Sequence, residues 1–212
     1  MHQINELVAD CIGISTPIVG NLTQQASLLI DLYLRPEYAE YKDRIVQLAQ
    51  RSDVDAEKEL RGFVFEGMRH AGSVPGVPRV TTRDVTINDG ARGSLSIPAG
   101  HRVLVATSEA AMDPIAFPEP EKINPHRRFE DYIVFGHGLH QCFGAQIVGV
   151  SLAATLREVF KLKNVRRAPG KQGVFTTVER DLAGVKIKKY LDASSREAVV
   201  PTSLTLHYDY DE

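Results

Sequence analysis

What this sequence lacks sets the first limits on what it does. It holds only two cysteines, Cys11 and Cys142, in 212 residues. So few, placed so far apart, exclude a disulfide framework and read as separate buried or reactive thiols of a reducing compartment. Neither sign of charge dominates: 25 Lys and Arg stand against 27 Asp and Glu, a formal net charge of −2. That balance argues against a nucleic-acid partner and leaves no acidic block to form a disordered tail. No apolar run is long enough to span a bilayer. The opening Met1-His-Gln-Ile-Asn-Glu-Leu has no basic stretch followed by an apolar core, so no signal peptide is expected. A location in the cytoplasm, or peripheral to a membrane, follows as the expectation. No internal repeat or low-complexity segment is visible. What remains is ordinary globular composition, 43% hydrophobic, and length enough for one domain with a sizeable core.

Periodicity then divides the chain. Ile4, Leu7, Val8, Cys11, Ile14, Ile18, Leu22, Leu28, Leu29 and Leu32 recur near the helical repeat and predict one long helix over 3–35. Pro17 lies inside it and predicts a kink. No charged residue stands between Asp10 and Asp31, which predicts that the middle of this helix is buried and that Cys11 is core packing. A second helix is expected over 37–50. A third, capped by Ser52-Asp53, should run to about His70, with Leu60, Phe63, Val64 and Met68 inward. Gly72 to Pro78 reads as the turn region that stops it. Alternation at Val80, Thr82, Val85 and Ile87, then Leu95 and Ile97, then Val103 and Val105, predicts strands, with turns at Asn88-Asp-Gly90 and Ile97-Pro-Ala-Gly100. Residues 108–134 read as a short helix and an irregular ordered segment. A further helix should run from near Cys142 to about Lys161. The tail alternates again at Gly184-Val-Lys-Ile-Lys and Leu204-Thr-Leu-His-Tyr, which suggests a small sheet. The fold class expected is mainly α with small β-sheets.

The stretch with most chemical content is Phe135-Gly-His-Gly-Leu-His-Gln-Cys142-Phe-Gly144. Gly136, Gly138 and Gly144 surround one thiol, and glycine lets backbone approach a flat ligand closely. The helix that follows brings its free N–H groups and positive dipole end near the sulfur, favouring the thiolate, which is the ligand form. One cysteine does not hold zinc, and no second Cys or His pair has zinc-finger spacing. A lone thiolate on a glycine platform suits a macrocycle that supplies the other ligands.

Phe135-x-x-Gly138-x-His140-x-Cys142-x-Gly144 resembles the haem-binding signature of the cytochrome P-450 family. The resemblance implies haem b with Cys142 as its axial thiolate, the one metal ligand from the chain, and cysteine ligation favours O–O cleavage. It implies that His140 meets a haem propionate and that Phe135 packs beside the thiolate. Glu66-Gly-Met-Arg69 resembles the family's E-x-x-R pair; at i,i+3 the two share a helix face. The family joins that pair with an arginine from the meander before the cysteine, for which Arg127 has the better spacing and Arg128 is the alternative. Arg79 resembles the arginine that reaches the second propionate. On spacing alone it reads equally as a solvated charge at a strand edge.

The long helix resembles the family's distal helix, whose motif A/G-G-x-acid-Thr aligns with Val19-Gly20-Asn21-Leu22-Thr23. The acid is replaced by Leu22, which relays no proton. A substrate that already contains an O–O bond needs neither that relay nor reductase electrons. Asn21 can donate to a peroxide oxygen and accept in return, although it reads equally as a packing amide. Thr23 is the second catalytic candidate, and its hydroxyl has the alternative of bonding a carbonyl one turn earlier. The run from Gly20 to Leu34 resembles fungal fatty-acid diol synthases, in which a haem dioxygenase is fused to a C-terminal P-450-type domain that isomerises a lipid hydroperoxide. The implied parent activity is therefore fatty-acid hydroperoxide isomerisation to a diol. The alternatives are a reductase-fed monooxygenase and an inactive truncated fragment. The implied partners are a fatty-acid-like small molecule and a complementary N-terminal half or dioxygenase domain. The resemblance spans nearly all the chain but only the C-terminal half of the family's domain, so residues 1–212 are expected to form a partial haem domain that leaves one face of the long helix open to water and in need of a partner.

Overall fold

A computed structural model describes residues 2–72, 76–90, 93–182, 185–198 and 200–210 of the chain. Helix α1 spans His2–Tyr33, α2 Ala39–Ala49 and α3 Val54–His70. Strands β1 (Val77–Val80), β2 (Val85–Asn88), β3 (Ser94–Ile97) and β4 (Arg102–Val105) follow, then the short α4 (Thr107–Ala111). After an irregular stretch comes α5 (Ala145–Phe160). The chain ends in β5 (Arg166–Arg167), β6 (Thr177–Leu182), β7 (Val185–Leu191), β8 (Glu197–Ala198) and β9 (Leu206–His207). The sheets are all small and antiparallel: β1 with β4, β2 with β3, β5 with β9, and β6-β7-β8. The expected class, mainly α with small sheets, is the observed one.

The core forms where α3 and α5 meet α2 and the second half of α1. Leu29, Tyr33, Ile45, Leu48, Leu60, Phe63, Leu152, Leu156 and Phe160 are fully or almost fully buried there. Each side chain of this kind, taken from water, stabilises by about 1.5–3 kcal/mol. Asp53 caps α3 by accepting the Ala56 N–H at 3.1 Å, as the sequence led us to expect. The third helix also ends where expected, at His70. Of the residues read as its turn region, 73–75 lie outside the described residues, whereas Val77 and Pro78 already belong to β1. Thr82, read as strand, lies in the bend between β1 and β2. The turn at Asn88 is made, with Asn88 Oδ1 accepting the Gly90 N–H at 3.2 Å. Gly184, on which the tail reading partly relied, is outside the described residues.

In its first half the long helix departs from the burial expected of its uncharged stretch and shows instead the open face expected of a partial domain. Ile4, Leu7, Val8, Ile12 and Val19 are 50–69% exposed, and Cys11 is exposed too. An uncharged stretch requires a covering surface, but sequence alone does not say that the covering surface belongs to the same set of residues. Burial begins only at Leu22, partly, and is complete from Leu28. The Pro17 side chain is outside the described residues; the backbone is helical through that position. Cys11 is thus an exposed thiol, not core packing.

Gly62 on α3 lies against the backbone of Pro125, and a Cβ added there would overlap the Pro125 carbonyl. Gly13 on α1 has nothing within 4 Å of the same position. Gly62→Ala should therefore lower the urea midpoint, by the equivalent of about 1–3 kcal/mol for overpacking. Gly13→Ala should raise it slightly, since alanine is the better helix residue by about 0.5–1 kcal/mol.

Candidate functional site

Glu66 is the buried anion at the centre of the region around α3. Its carboxylate is fully buried on α3. Arg69, one turn on, donates from Nη2 to Oε2 at 2.8 Å and from Nε to Oε1 at 3.1 Å. The Tyr132 hydroxyl donates to Oε1 at 2.7 Å, and the Asn124 backbone N–H to Oε2 at 2.9 Å. Arg127 Nε approaches Oε1 at 3.4 Å as an ion pair. A buried carboxylate requires this many donors, because each oxygen removed from water otherwise remains unsatisfied. Burial alone pushes the Glu66 carboxyl up; Arg69, the Asn124 N–H and the Tyr132 hydroxyl outweigh it and hold the group below its ordinary value.

Arg69 carries the pair onward. Nη1 donates to the Pro120 carbonyl at 2.6 Å and the Ala111 carbonyl at 3.1 Å, and Nη2 donates to the Lys122 carbonyl at 3.1 Å. Its guanidinium lies 5.1 Å from the Phe117 ring centroid. One arginine thereby ties α3 to the irregular stretch that leads to the cysteine turn. Between the two meander candidates, Arg127 reaches Glu66 and also donates to the Pro118 carbonyl at 2.8 Å. Arg128 lies in solvent beside Glu130, 3.6 Å away.

The cysteine turn is held from behind. Phe135 is buried against Phe65 and Phe129, with its ring 5.8 Å from Phe65 at 85°. The Phe135 carbonyl accepts the Cys142 N–H at 2.7 Å, closing the loop. Gly136 (φ 73°) and Gly138 (φ 68°) make the reversal between them, in the left-handed region that glycine adopts freely. Gly138–His140 form one 3₁₀ turn, and Gly144 precedes the first residue of α5. Cys142 and His140 are exposed, and Leu139 and Phe143 on either side are fully so. Ile147, in the first turn of α5, is exposed as well. The helix begins later than expected, at Ala145, whose N–H bonds the Cys142 carbonyl at 3.3 Å. The thiol thus sits just before the first turn of α5.

The other sequence candidates lie elsewhere. Arg79 is exposed on β1 and donates to the carbonyl of its own neighbour Pro78 at 2.8 Å. Asn21 is exposed on α1, and Leu22 packs partly against the core. Thr23 Oγ1 donates to the Val19 carbonyl at 2.7 Å, which is the back-bonded alternative. Tyr132 and Asn124 were missed in the sequence. For Tyr132 the available signal was its place in the apolar run before Phe135, because a buried tyrosine requires a partner for its hydroxyl.

A model of the cytochrome P-450 family matches residues 43–178. The chain belongs to that family. It is 37% identical over 164 residues to a bifunctional dioxygenase (DOX)-epoxy alcohol synthase (EAS) of Fusarium oxysporum, covering 77% of this chain and 13% of that protein. It is 36% identical to psi-producing oxygenase A of Emericella nidulans, covering 74% of this chain and 14% of that one. A 7,8-linoleate diol synthase of Pyricularia oryzae is 29% identical over 75% of this chain and 16% of its own length. The chain spans only a small part of each of these relatives. Among solved structures, the P-450 heme domain of Tepidiphilus thermophilus shares the fold at a TM-score of 0.62, with 21% identity, over 88% of this chain and 37% of that one.

The family's cofactor is haem held by a cysteine thiolate, and the residues here fit it. The turn offers one accessible sulfur, flanked in sequence by the exposed Leu139 and Phe143, with Gly144 beside it where a Cβ would lie 3.8 Å from Sγ. No cluster of three or more His, Cys, Asp or Glu is placed to hold a bare metal ion among the described residues. Such a donor set suits a group that brings its other ligands with it.

Glu66→Gln should cost about 3–5 kcal/mol, because Arg69 then stays buried without its counter-charge. The pH dependence has a definite sign. A carboxyl held below its ordinary value of 4.5 stabilises the fold above about pH 4.5. That contribution disappears as pH falls through the lower folded value. Acid unfolding of Glu66→Gln, followed by circular dichroism, should therefore be flatter across that window than in the wild type.

Proposed function

We propose that this domain binds haem through Cys142 and isomerises a fatty-acid hydroperoxide. The carrying observation is the Asn21-Leu22 pair on α1. Leucine stands where the family's acid would be and packs toward the core, while the neighbouring amide is open. Bound to the thiolate, haem supplies the iron chemistry that breaks an O–O bond. Asn21 Nδ2 donates to a peroxide oxygen and Oδ1 accepts the hydroperoxide proton, orienting the substrate. Leu22 keeps the position dry and relays no proton. Thr23, its hydroxyl proton engaged with Val19, contributes at most a lone pair. His140 and Arg79 meet the two propionates, Phe135 packs behind the thiolate, and Gly138 and Gly144 allow close approach to the macrocycle. Glu66, Arg69 and Arg127 brace the turn.

The names of the similar proteins support this reading, since they include linoleate diol synthases as well as a dioxygenase-epoxy alcohol synthase. A diol and an epoxy alcohol are both isomers of the hydroperoxide, so either product forms without external electrons. We assign the diol as the product; the 37% identity to the epoxy alcohol synthase favours the epoxy alcohol as the second. The exposed apolar half of α1 is the surface that a complementary segment or dioxygenase domain would cover. Among the described residues no helix is long and apolar enough to cross a membrane.

Two measurements check the reading. The ferrous–CO complex of protein reconstituted with haem should show the Soret band of thiolate ligation, lost in Cys142→Ser. Hydroperoxide should be consumed without NADPH, and Asn21→Ala should slow that turnover by about 100-fold, the usual effect of removing one well-placed donor. Strict dependence on NADPH would overturn the isomerase in favour of a monooxygenase.

A further inference from the structure

A cleft of about 590 Å³ lies beyond the second half of α1, between that helix, the end of α3 and the β6-β7 hairpin. Its volume is that of a small-molecule site. The lining is of two kinds. Leu28 and Phe175 give it apolar wall, and Arg35, Arg167, Lys186 and Lys188 give it positive charge. Asp31 also lines it and is shared by two arginines: Arg35 Nη2 lies 2.8 Å from one oxygen, and Arg167 pairs with the other. Opposite Lys186 and Lys188 across the hairpin stand Asp181 and Glu179, on the same face of the sheet. Four cations against these three carboxylates leave one positive charge over. His70, on the wall, adds none, because burial and then the neighbouring Arg69 lower its pKa below the usual histidine value. Arg167 has an additional opening: its Nε–H is buried and has no acceptor among the described residues. A buried donor without a partner is unfavourable, and an anion would relieve it.

Placement relates the cleft to the chemistry. Asn21 and Leu28 are seven residues apart and share one side of α1, about 10 Å from each other along the axis. Arg35, just past the helix end, lines the cleft together with Leu28. We infer that this cleft seats the carboxylate of a long-chain fatty acid, with Lys186, Lys188, Arg35 and Arg167 facing the charge and Leu28 and Phe175 against the adjoining methylenes. The chain of the acid then runs back along α1 toward Asn21. This orientation rests on the proposed isomerase reading. Binding of the carboxylate in the cleft is a separate property and can be measured separately.

The test uses the full chain without haem and a naturally fluorescent long-chain polyene acid, compared with its methyl ester. The acid should bind about 10-fold more tightly than the ester, as expected for a charge-assisted contact. Lys186→Gln/Lys188→Gln should bring the two within about 2-fold of each other. Both lysines are exposed, so losing their cross-strand pairs should lower the thermal midpoint only slightly, and Lys186→Arg/Lys188→Arg should keep the preference. Millimolar inorganic phosphate should not displace the acid. Equal binding of acid and ester, a preference that survives the glutamine pair, or displacement by phosphate as from a general anion site would each overturn the assignment. Neither haem nor hydroperoxide enters the measurement. A failed turnover assay therefore leaves this site standing, and equal acid and ester binding leaves the isomerase standing.

Discussion

One buried carboxylate organises the proximal half of this domain. Glu66 sits where water does not reach, and three chain segments satisfy it: α3 through Arg69, the meander through Asn124 and Arg127, and the approach to the cysteine turn through Tyr132. A buried ion pair of this kind is weak as a source of net stability, because desolvation offsets most of the attraction. Its value lies in geometry. An irregular stretch from about 112 to 134 has no ladder of its own to fix it, and the carbonyls of Pro120 and Lys122 instead bond Arg69. The secondary structure that is absent there is replaced by side-chain donors.

Much of this architecture can be read from the chain. Asp53 is a capping residue ahead of an apolar periodic run, and α3 starts where it predicts. The i,i+3 spacing of Glu66 and Arg69 places them on one face, but spacing does not give burial, since most such pairs are solvated. Burial comes from Phe117, Tyr132 and the meander packing over them, which are contacts distant in sequence. Tyr132 and Asn124 were not legible for the same reason: a backbone N–H carries no sequence signal, and a hydroxyl shows no partner until the fold supplies one. The apolar pattern of α1 was legible as a helix and misleading as a core. Periodicity reports that a face needs cover, and Cys11 with its neighbours lies on the part that the described residues leave open.

The two halves of α1 therefore differ in kind. From Leu28 onward the helix is fixed by buried leucines, by the Tyr33 hydroxyl bonding the Phe63 carbonyl at 2.5 Å, and by Asp31 clasped between Arg35 and Arg167. Before Leu22 it carries apolar side chains into solvent. Asn21 lies at the junction, exposed beside Leu22, the residue at which the helix begins to pack against the core. In the proposed reading, that position, more than the identity of any one neighbour, is what suits an amide there to a peroxide.

Phe135 joins two environments within one short loop. Its ring belongs to the aromatic cluster with Phe65 and Phe129, and its carbonyl holds the Cys142 N–H. The thiol faces outward, yet its height above the domain is set by how those rings pack inside. The interior aromatic cluster thus acts as the adjusting screw of the thiol: a change of a single methylene beneath Phe135 would move the sulfur from inside the domain.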